Sequence, residues 1–324
     1  MAGTFQEWFA EHREQIRKEP SSGLKHAAFT TYLGLWYTLT SRWPLGTQVF
    51  EEDWDLLIVL DACRVDVLES VADEYDFLEN IERRVSIGSH SREWLAKTFT
   101  RDWANEINST AMITGNPHVE AVFHDRNYPP KETVPFAFPR WNVVHGEEFE
   151  TIENLSQYDH GEGYGVPPRP ITDRTITTSR EGSAERIIAH YMQPHIPYIA
   201  KALEADREPT SNEARGWKNL KTSDISRADH WSLYRDNLRL VLDDIGLLLK
   251  NIDAERVLLT ADHGNAFGEW GAYGHPEGFP HPSVKYVPWI ELDATDTGMY
   301  DPAYTFSESG KSSVEQNLQD LGYL

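Results

Sequence analysis

The chain has 324 residues, 40% hydrophobic and 12% aromatic, which suits one large α/β domain or two small ones and is too apolar for global disorder. Its 52 acidic against 30 basic residues leave a formal charge of −22. That excludes nucleic-acid binding through a general basic surface and fits a protein solvated by carboxylates, as in halophile cytosols. A single cysteine, Cys63, excludes an internal disulfide.

Residues 1–50 read as a helical N-terminal extension, broken at Pro20 and Gly23 and ended by Trp43-Pro44-Leu45-Gly46, ahead of a catalytic unit over 51–324. Residues 1–20 are polar and charged rather than a secretory signal, so the expected compartment is the cytoplasm. The apolar stretch 27–39 is shorter than the roughly 20 residues a bilayer span requires. It reads as a helix packed on the domain; the alternative is peripheral membrane contact, with Trp36, Tyr37 and Trp43 at the surface.

The segment 55–60, Asp-Leu-Leu-Ile-Val-Leu, predicts a buried strand ending in Asp61, with a helix after it over 64–74. A strand over 83–87 and a helix over 91–100 follow. A short strand over 111–114 ends at Gly115-Asn116-Pro117, and 118–123 reads as one more. Residues 129–170, rich in Pro, Gly and acids, read as a long loop. A strand over 187–191 runs into Gln193-Pro194-His195-Ile196-Pro197-Tyr198, and 204–223 reads as an exposed connection. Over 231–250, Tyr234, Leu238, Val241, Leu242, Ile245, Leu248 and Leu249 share one helical face. The run Val257-Leu258-Leu259-Thr260-Ala261 is a strand ending in Asp262-His263-Gly264, and 286–292 is the last strand. Strands alternating with helices predict an α/β fold with a mostly parallel central sheet and helices on both faces.

In such a sheet the strand ends share one edge, where ligands sit. Asp61, His195 and Asp262-His263 all stand at strand ends. An adjacent acid and imidazole offer an anionic oxygen and a neutral nitrogen to a divalent metal. Each residue alone also has a plainer use: Asp61 precedes a helix and can cap it. The convergence of several ends carries the reading.

Four motifs, in order over about residues 52–292, resemble the sulfatase-like branch of the alkaline phosphatase superfamily. They are Asp61-Ala62-Cys63-Arg64-Val65-Asp66, the Pro194-His195-Ile196-Pro197 segment, Asp262-His263-Gly264 followed by Phe267-Gly268-Glu269, and Val287-Pro288-Trp289-Ile290. The resemblance implies a divalent metal held by Asp61, Asp262 and His263, with a nucleophile at a helix N-terminus completing the set. It places that nucleophile at Ser89, with Ser91 as competitor and alternative N-cap. Cys63 is set aside as a buried apolar residue without the Cys-x-Pro-x-Arg context of sulfatase maturation. His195 is expected to contact a substrate oxygen or protonate a leaving group, and His275 to act as general acid or second-metal ligand. His281 is a weaker alternative to His275, His190 is assigned to strand packing, and Lys285 to the surface. Arg64 and Asp66 are assigned to an ion pair or cap. Asp159-His160-Gly161 repeats the tripeptide without a preceding strand and is set aside.

The expected activity is metal-dependent hydrolysis of phosphate or sulfate esters, with an unmodified serine favouring phosphoesters. The rivals are a transferase moving a phosphoalcohol group from lipid to glycan, and a non-catalytic binding protein on the same fold. Asp, Asp, His and a hydroxyl suit Zn²⁺ or Mn²⁺ better than Mg²⁺ or Ca²⁺. The expected partner is a small-molecule, lipid or glycan ester.

Overall fold

The computed structural model describes residues 5–128, 140–158, 160–161 and 163–304. Strand β1 (Leu56–Leu60) is buried at every position. Leu56, Ile58 and Leu60 face one core layer and Leu57 and Val59 the other. That two-sided burial is why the segment is uniformly apolar rather than alternating. The remaining strands are β2 (Glu82–Val85), β3 (Thr110–Thr114), β4 (Thr151–Asn154), β5 (Arg186–Tyr191), β6 (Ala254–Ala261), β7 (Ala266–Phe267), β8 (Tyr273–Gly274) and β9 (Tyr286–Ala294). The main sheet has the order β2-β9-β6-β1-β5-β3-β4, and β7 and β8 form a separate antiparallel pair. From β6 to β4 every neighbour pair is parallel; β9 runs antiparallel to β6 and to β2.

Helices cover both faces. Against Leu56 and Ile58 lie α3 (Val65–Glu69) and the helices Pro168–Glu181 and Arg227–Leu248. Against Leu57 and Val59 lies α4 (Ser91–Thr98), through Trp94, Leu95 and Ala96. The N-terminal segment folds as α1 (Phe5–Lys18) and α2 (Pro20–Thr40).

Several local readings need correction. Pro20 separates the two N-terminal helices by opening α2, where its missing N–H costs nothing, and Gly23 lies inside α2 rather than breaking it. Residues 118–123 are not a strand: Asn116 Oδ1 accepts the His118 N–H at 2.9 Å, turning the chain into a short π-helical segment, Glu120–His124. Part of 129–170, residues 129–139, 159 and 162, lies outside the described residues, and the rest holds β4 and the start of the helix Pro168–Glu181. The connection 204–223 contains the helices Ser211–Arg215 and Trp217–Thr222, with Glu213 and Asn219 buried. The helix expected over 231–250 begins earlier, where the Ser226 hydroxyl accepts the Asp229 N–H at 3.1 Å.

Candidate active site

Register alone brings the two acids together. Leu60 of β1 pairs in parallel with Ala261 of β6, so the next residue on each strand, Asp61 and Asp262, emerges at the same sheet edge. On the other side of β1, His190 of β5 lies opposite Val59 and Thr114. Both aspartates are completely buried. Asp61 Oδ2 accepts a hydrogen bond from Asn116 Nδ2 at 2.9 Å, and Asp262 Oδ1 accepts the N–H groups of Ala62 at 3.1 Å and His263 at 2.8 Å. Ala62 reaches Asp262 from a left-handed conformation, φ 58°, and the Tyr234 hydroxyl donates to its carbonyl. After His263 the chain requires glycine, because a Cβ at Gly264 would stand 2.2 Å from the Ser283 carbonyl oxygen.

Each carboxylate keeps one oxygen in reserve. Asp61 Oδ1, Asp262 Oδ2 and His190 Nε2 are buried and have no hydrogen-bond partner. One donor atom from each of these residues lies within 4.8 Å of the others. His263 Nδ1 bonds the Gly264 carbonyl at 2.8 Å, which points Nε2 at the acids, 3.3 Å from Asp262 Oδ2 and 3.7 Å from Asp61 Oδ1. Buried polar atoms in folded proteins are nearly always satisfied, so converging orphans of this chemistry make a candidate cation site. Burial, and then the charge of Asp262, pushes the Asp61 carboxyl well above its usual range. Burial pulls His190 down to about 4 against the attraction of Asp262. Two carboxylates and neutral imidazole nitrogen are the donor set of Zn²⁺ or Mn²⁺, so the residues fit a divalent metal.

The two serines take different places. Ser91 is the first residue of α4, and its Oγ lies 3.3 Å from His263 Nε2. His90 caps that helix, its Nδ1 accepting the Arg92 N–H at 3.2 Å. Ser89 is turned aside: its hydroxyl donates to Glu93 Oε2 at 2.6 Å and accepts the Gly278 N–H at 2.7 Å. The geometry therefore puts Ser91, rather than Ser89, beside the proposed metal-binding histidine.

What holds Ser89 is a buried charge network. Glu93 also accepts the Ser89 N–H at 2.8 Å, Lys97 Nζ at 2.5 Å and Trp36 Nε1 at 2.7 Å. Burial works against its charge, but Lys97 and Lys285 outweigh it and hold the carboxyl at about 2. Lys285, expected on the surface, is buried, and its Nζ donates to the Gly88 carbonyl at 3.0 Å. Burial lowers it to about 8, with Glu93 opposing. Lys97→Met leaves the Glu93 carboxylate without its closest cation, and urea denaturation is expected to show a loss of about 3–5 kcal/mol.

His195 and His275 lie with ring centroids 5.0 Å apart, and His275 is 4.4 Å from His263. The cluster also includes His90, 5.1 Å from both His118 and His275. Burial lowers His195 to about 4 and takes His90, His118 and His275 well below the usual imidazole range, so all are neutral near pH 7. His195 Nδ1 bonds the Ile196 carbonyl at 2.6 Å. Sequence reasoning missed Asn116 and His118, although both follow β3 at the edge that carries Asp61. It also left His190 to packing. Strand alternation puts His190 on the same face as Ile188, towards α4, where its ring lies 5.7 Å from Trp94.

The other candidates are structural. Burial pushes the Cys63 thiol well above its usual range, the opposite of an activated cysteine. Arg64 pairs with Asp66 at 2.6 Å and Glu269 at 3.0 Å, tying the first motif to the segment after Gly264. His281 caps the helix Pro282–Lys285 and stacks on Phe279. Asp159 lies outside the described residues, and His160 bonds the Leu155 carbonyl at 2.9 Å.

The α2 helix closes the site from behind. Tyr32 donates to the Gly278 carbonyl at 2.6 Å and Tyr37 to Glu277 Oε2 at 2.5 Å, while Trp36 holds Glu93. Glu277 in turn faces Arg92, with Nε 3.7 Å from Oε1.

No protein-family model and no curated protein matches the chain. Solved structures similar to it include the soluble domain of lipooligosaccharide phosphoethanolamine transferase A from Neisseria meningitidis, at 12% identity and a TM-score of 0.42, covering 74% of this chain and 76% of that one. The C-terminal periplasmic domain of a phosphoethanolamine transferase from Campylobacter jejuni matches at 15% identity and 0.39, covering 73% and 78%. A protein in the alkaline phosphatase superfamily from Vibrio parahaemolyticus matches at 11% identity and 0.38, covering 81% and 68%. At this level the likeness carries no argument about the site, whose chemistry rests on its own residues.

Proposed function

We propose that the chain is a metal-dependent enzyme of phosphoester cleavage with Ser91 as nucleophile. The observation that carries this reading is the set of buried, unpartnered donor atoms on Asp61, Asp262 and His190, beside His263 and facing a hydroxyl at the N-terminus of α4. Asp61, Asp262 and His263 would hold the ion, with His190 Nε2 as a further donor. A divalent ion there would supply Lewis-acid polarisation of the phosphoryl oxygens and charge neutralisation.

The chain's own groups do the rest. Ser91 Oγ attacks phosphorus, its proton passing to a neutral imidazole of the histidine cluster, and the Oγ–P bond forms as the bond to the leaving oxygen breaks. The α4 N-terminus directs backbone N–H groups and the positive end of its dipole towards the phosphoryl anion. His275 donates an N–H bond to a substrate oxygen, while His195, whose Nδ1–H is held by the Ile196 carbonyl, presents Nε2 as an acceptor until it is protonated. An arriving anion raises their proton affinity and lets one deliver a proton to the leaving group. The burial of the cluster excludes water, which strengthens each of these contacts. An unmodified serine favours phosphorus over sulfur as the centre attacked.

Chelation followed by metal return tests the reading. EDTA treatment is expected to abolish cleavage of bis(p-nitrophenyl) phosphate, and Zn²⁺ or Mn²⁺ to restore it, with p-nitrophenyl sulfate cleaved far more slowly. Activity indifferent to chelator and metal would refute it. Product analysis with an added alcohol separates hydrolysis from transfer, since a seryl phosphoester can pass its group to water or to an alcohol.

A further inference from the structure

The α2 helix, which closes the site, has a buried side and an exposed one. Its inner side carries the hydrogen-bonding residues Tyr32, Trp36 and Tyr37, directed at Gly278, Glu93 and Glu277. Its outer side carries Leu24, Ala28, Thr31, Leu35 and Leu39, all exposed. Their spacing of four, three, four and four residues sets them on one line along the helix, about 22 Å long at 1.5 Å per residue. Leu35 is 59% exposed, Leu39 54% and, just past the helix end, Trp43 66%. A folded chain ordinarily buries such a stripe.

Charge identifies what covers it. Residues 20–50 contain no Asp or Glu, although the chain's average of one acid in about six residues would give about five there. Lys25 and Arg42 are the segment's only Lys or Arg residues, in a chain of net charge −22. In this segment carboxylates are missing where apolar side chains face outward. A single line of five side chains falls far short of the roughly 20–30 residues a side that a stable protein interface uses, which disfavours a second copy of the chain. It suits a helix lying in the interface of a lipid bilayer, with an aromatic ring at one end and its few charges basic. No described helix is long and apolar enough to cross a membrane, so the geometry is one of lying on the bilayer, not spanning it.

We infer that the outer face of α2, with Trp43, is a lipid-docking surface that sets the candidate site against a bilayer. This inference is independent of the phosphoester reading, because its readout is partitioning and not turnover.

Flotation with phosphatidylcholine vesicles tests it. The wild-type chain is expected to float with the vesicles. The double variant Leu35→Glu, Leu39→Glu is expected to partition at least about tenfold less while melting as the wild type does. Met299→Glu, which changes an exposed apolar residue outside the patch (87% exposed), is expected to float like the wild type. A wild-type chain that stays with the soluble fraction overturns the inference, as does a folded double variant that floats unchanged. A wild-type dimer in light scattering that the double variant abolishes also overturns it, because the stripe would then be covered by a second copy.

Discussion

Ser91→Ala is expected to lower kcat at least about a thousandfold, some 4 kcal/mol of transition-state stabilisation, while leaving the fold intact. Ser89→Ala is expected to keep activity within about tenfold and to lose stability instead, by about 1–3 kcal/mol. The contrast follows from what each hydroxyl touches. Ser91 Oγ sits 3.3 Å from His263 Nε2, at the first turn of α4, where its removal deletes the attacking atom. Ser89 serves Glu93 and the Gly278 N–H, so its removal leaves a buried carboxylate one donor short and a backbone N–H without an acceptor. Steady-state kinetics with urea denaturation of both variants checks this. The reverse pattern, with Ser89→Ala inactive and Ser91→Ala active, would return the nucleophile to Ser89.

Asp262→Asn is expected to remove at least about a thousandfold from kcat/KM and to abolish the rise in melting temperature that Zn²⁺ gives the wild type. Asparagine keeps an acceptor for the Ala62 and His263 N–H groups, so the turn after β6 survives. What it loses is the anionic Oδ2, which has no hydrogen-bond partner and lies 3.3 Å from His263 Nε2. Asp61 and Asp262 crowd two carboxylates into one buried place, and burial with Asp262's charge raises the Asp61 carboxyl. Removing one therefore relieves the metal-free protein, whose variant is expected to melt above the metal-free wild type. A metal-free variant that melts lower, or that Zn²⁺ still stabilises, would mean the two acids serve the fold rather than an ion.

The parts of this protein that sequence discloses are those set by local pattern. β1 is a uniform apolar run and β6 ends in one, and an acid follows each at its C-terminal end. Parallel pairing then makes Asp61 and Asp262 neighbours without further information. The choice between Ser89 and Ser91 is not local. It depends on Glu93, one helical turn on, capturing Ser89 while Trp36 and Lys97 hold that carboxylate in place. Trp36 arrives from 57 residues away, and nothing near the Gly88–Arg92 stretch announces it. Lys285 deceives for a related reason: a lysine beside a strand start reads as surface until Gly88 accepts from its ammonium. His190 was legible in principle, since alternation from Ile188 aims it at α4, but a histidine inside an apolar strand looks the same whether it packs or binds.

The proposed site holds one divalent ion on Asp61, Asp262 and His263 beside Ser91. Calorimetric titration of metal-free protein with Zn²⁺ tests it most directly. One tight site per chain is expected, lost in Asp262→Asn and retained in Ser89→Ala. Wild-type protein that takes up no zinc, or Asp262→Asn protein that binds it as tightly as wild type, would contradict it.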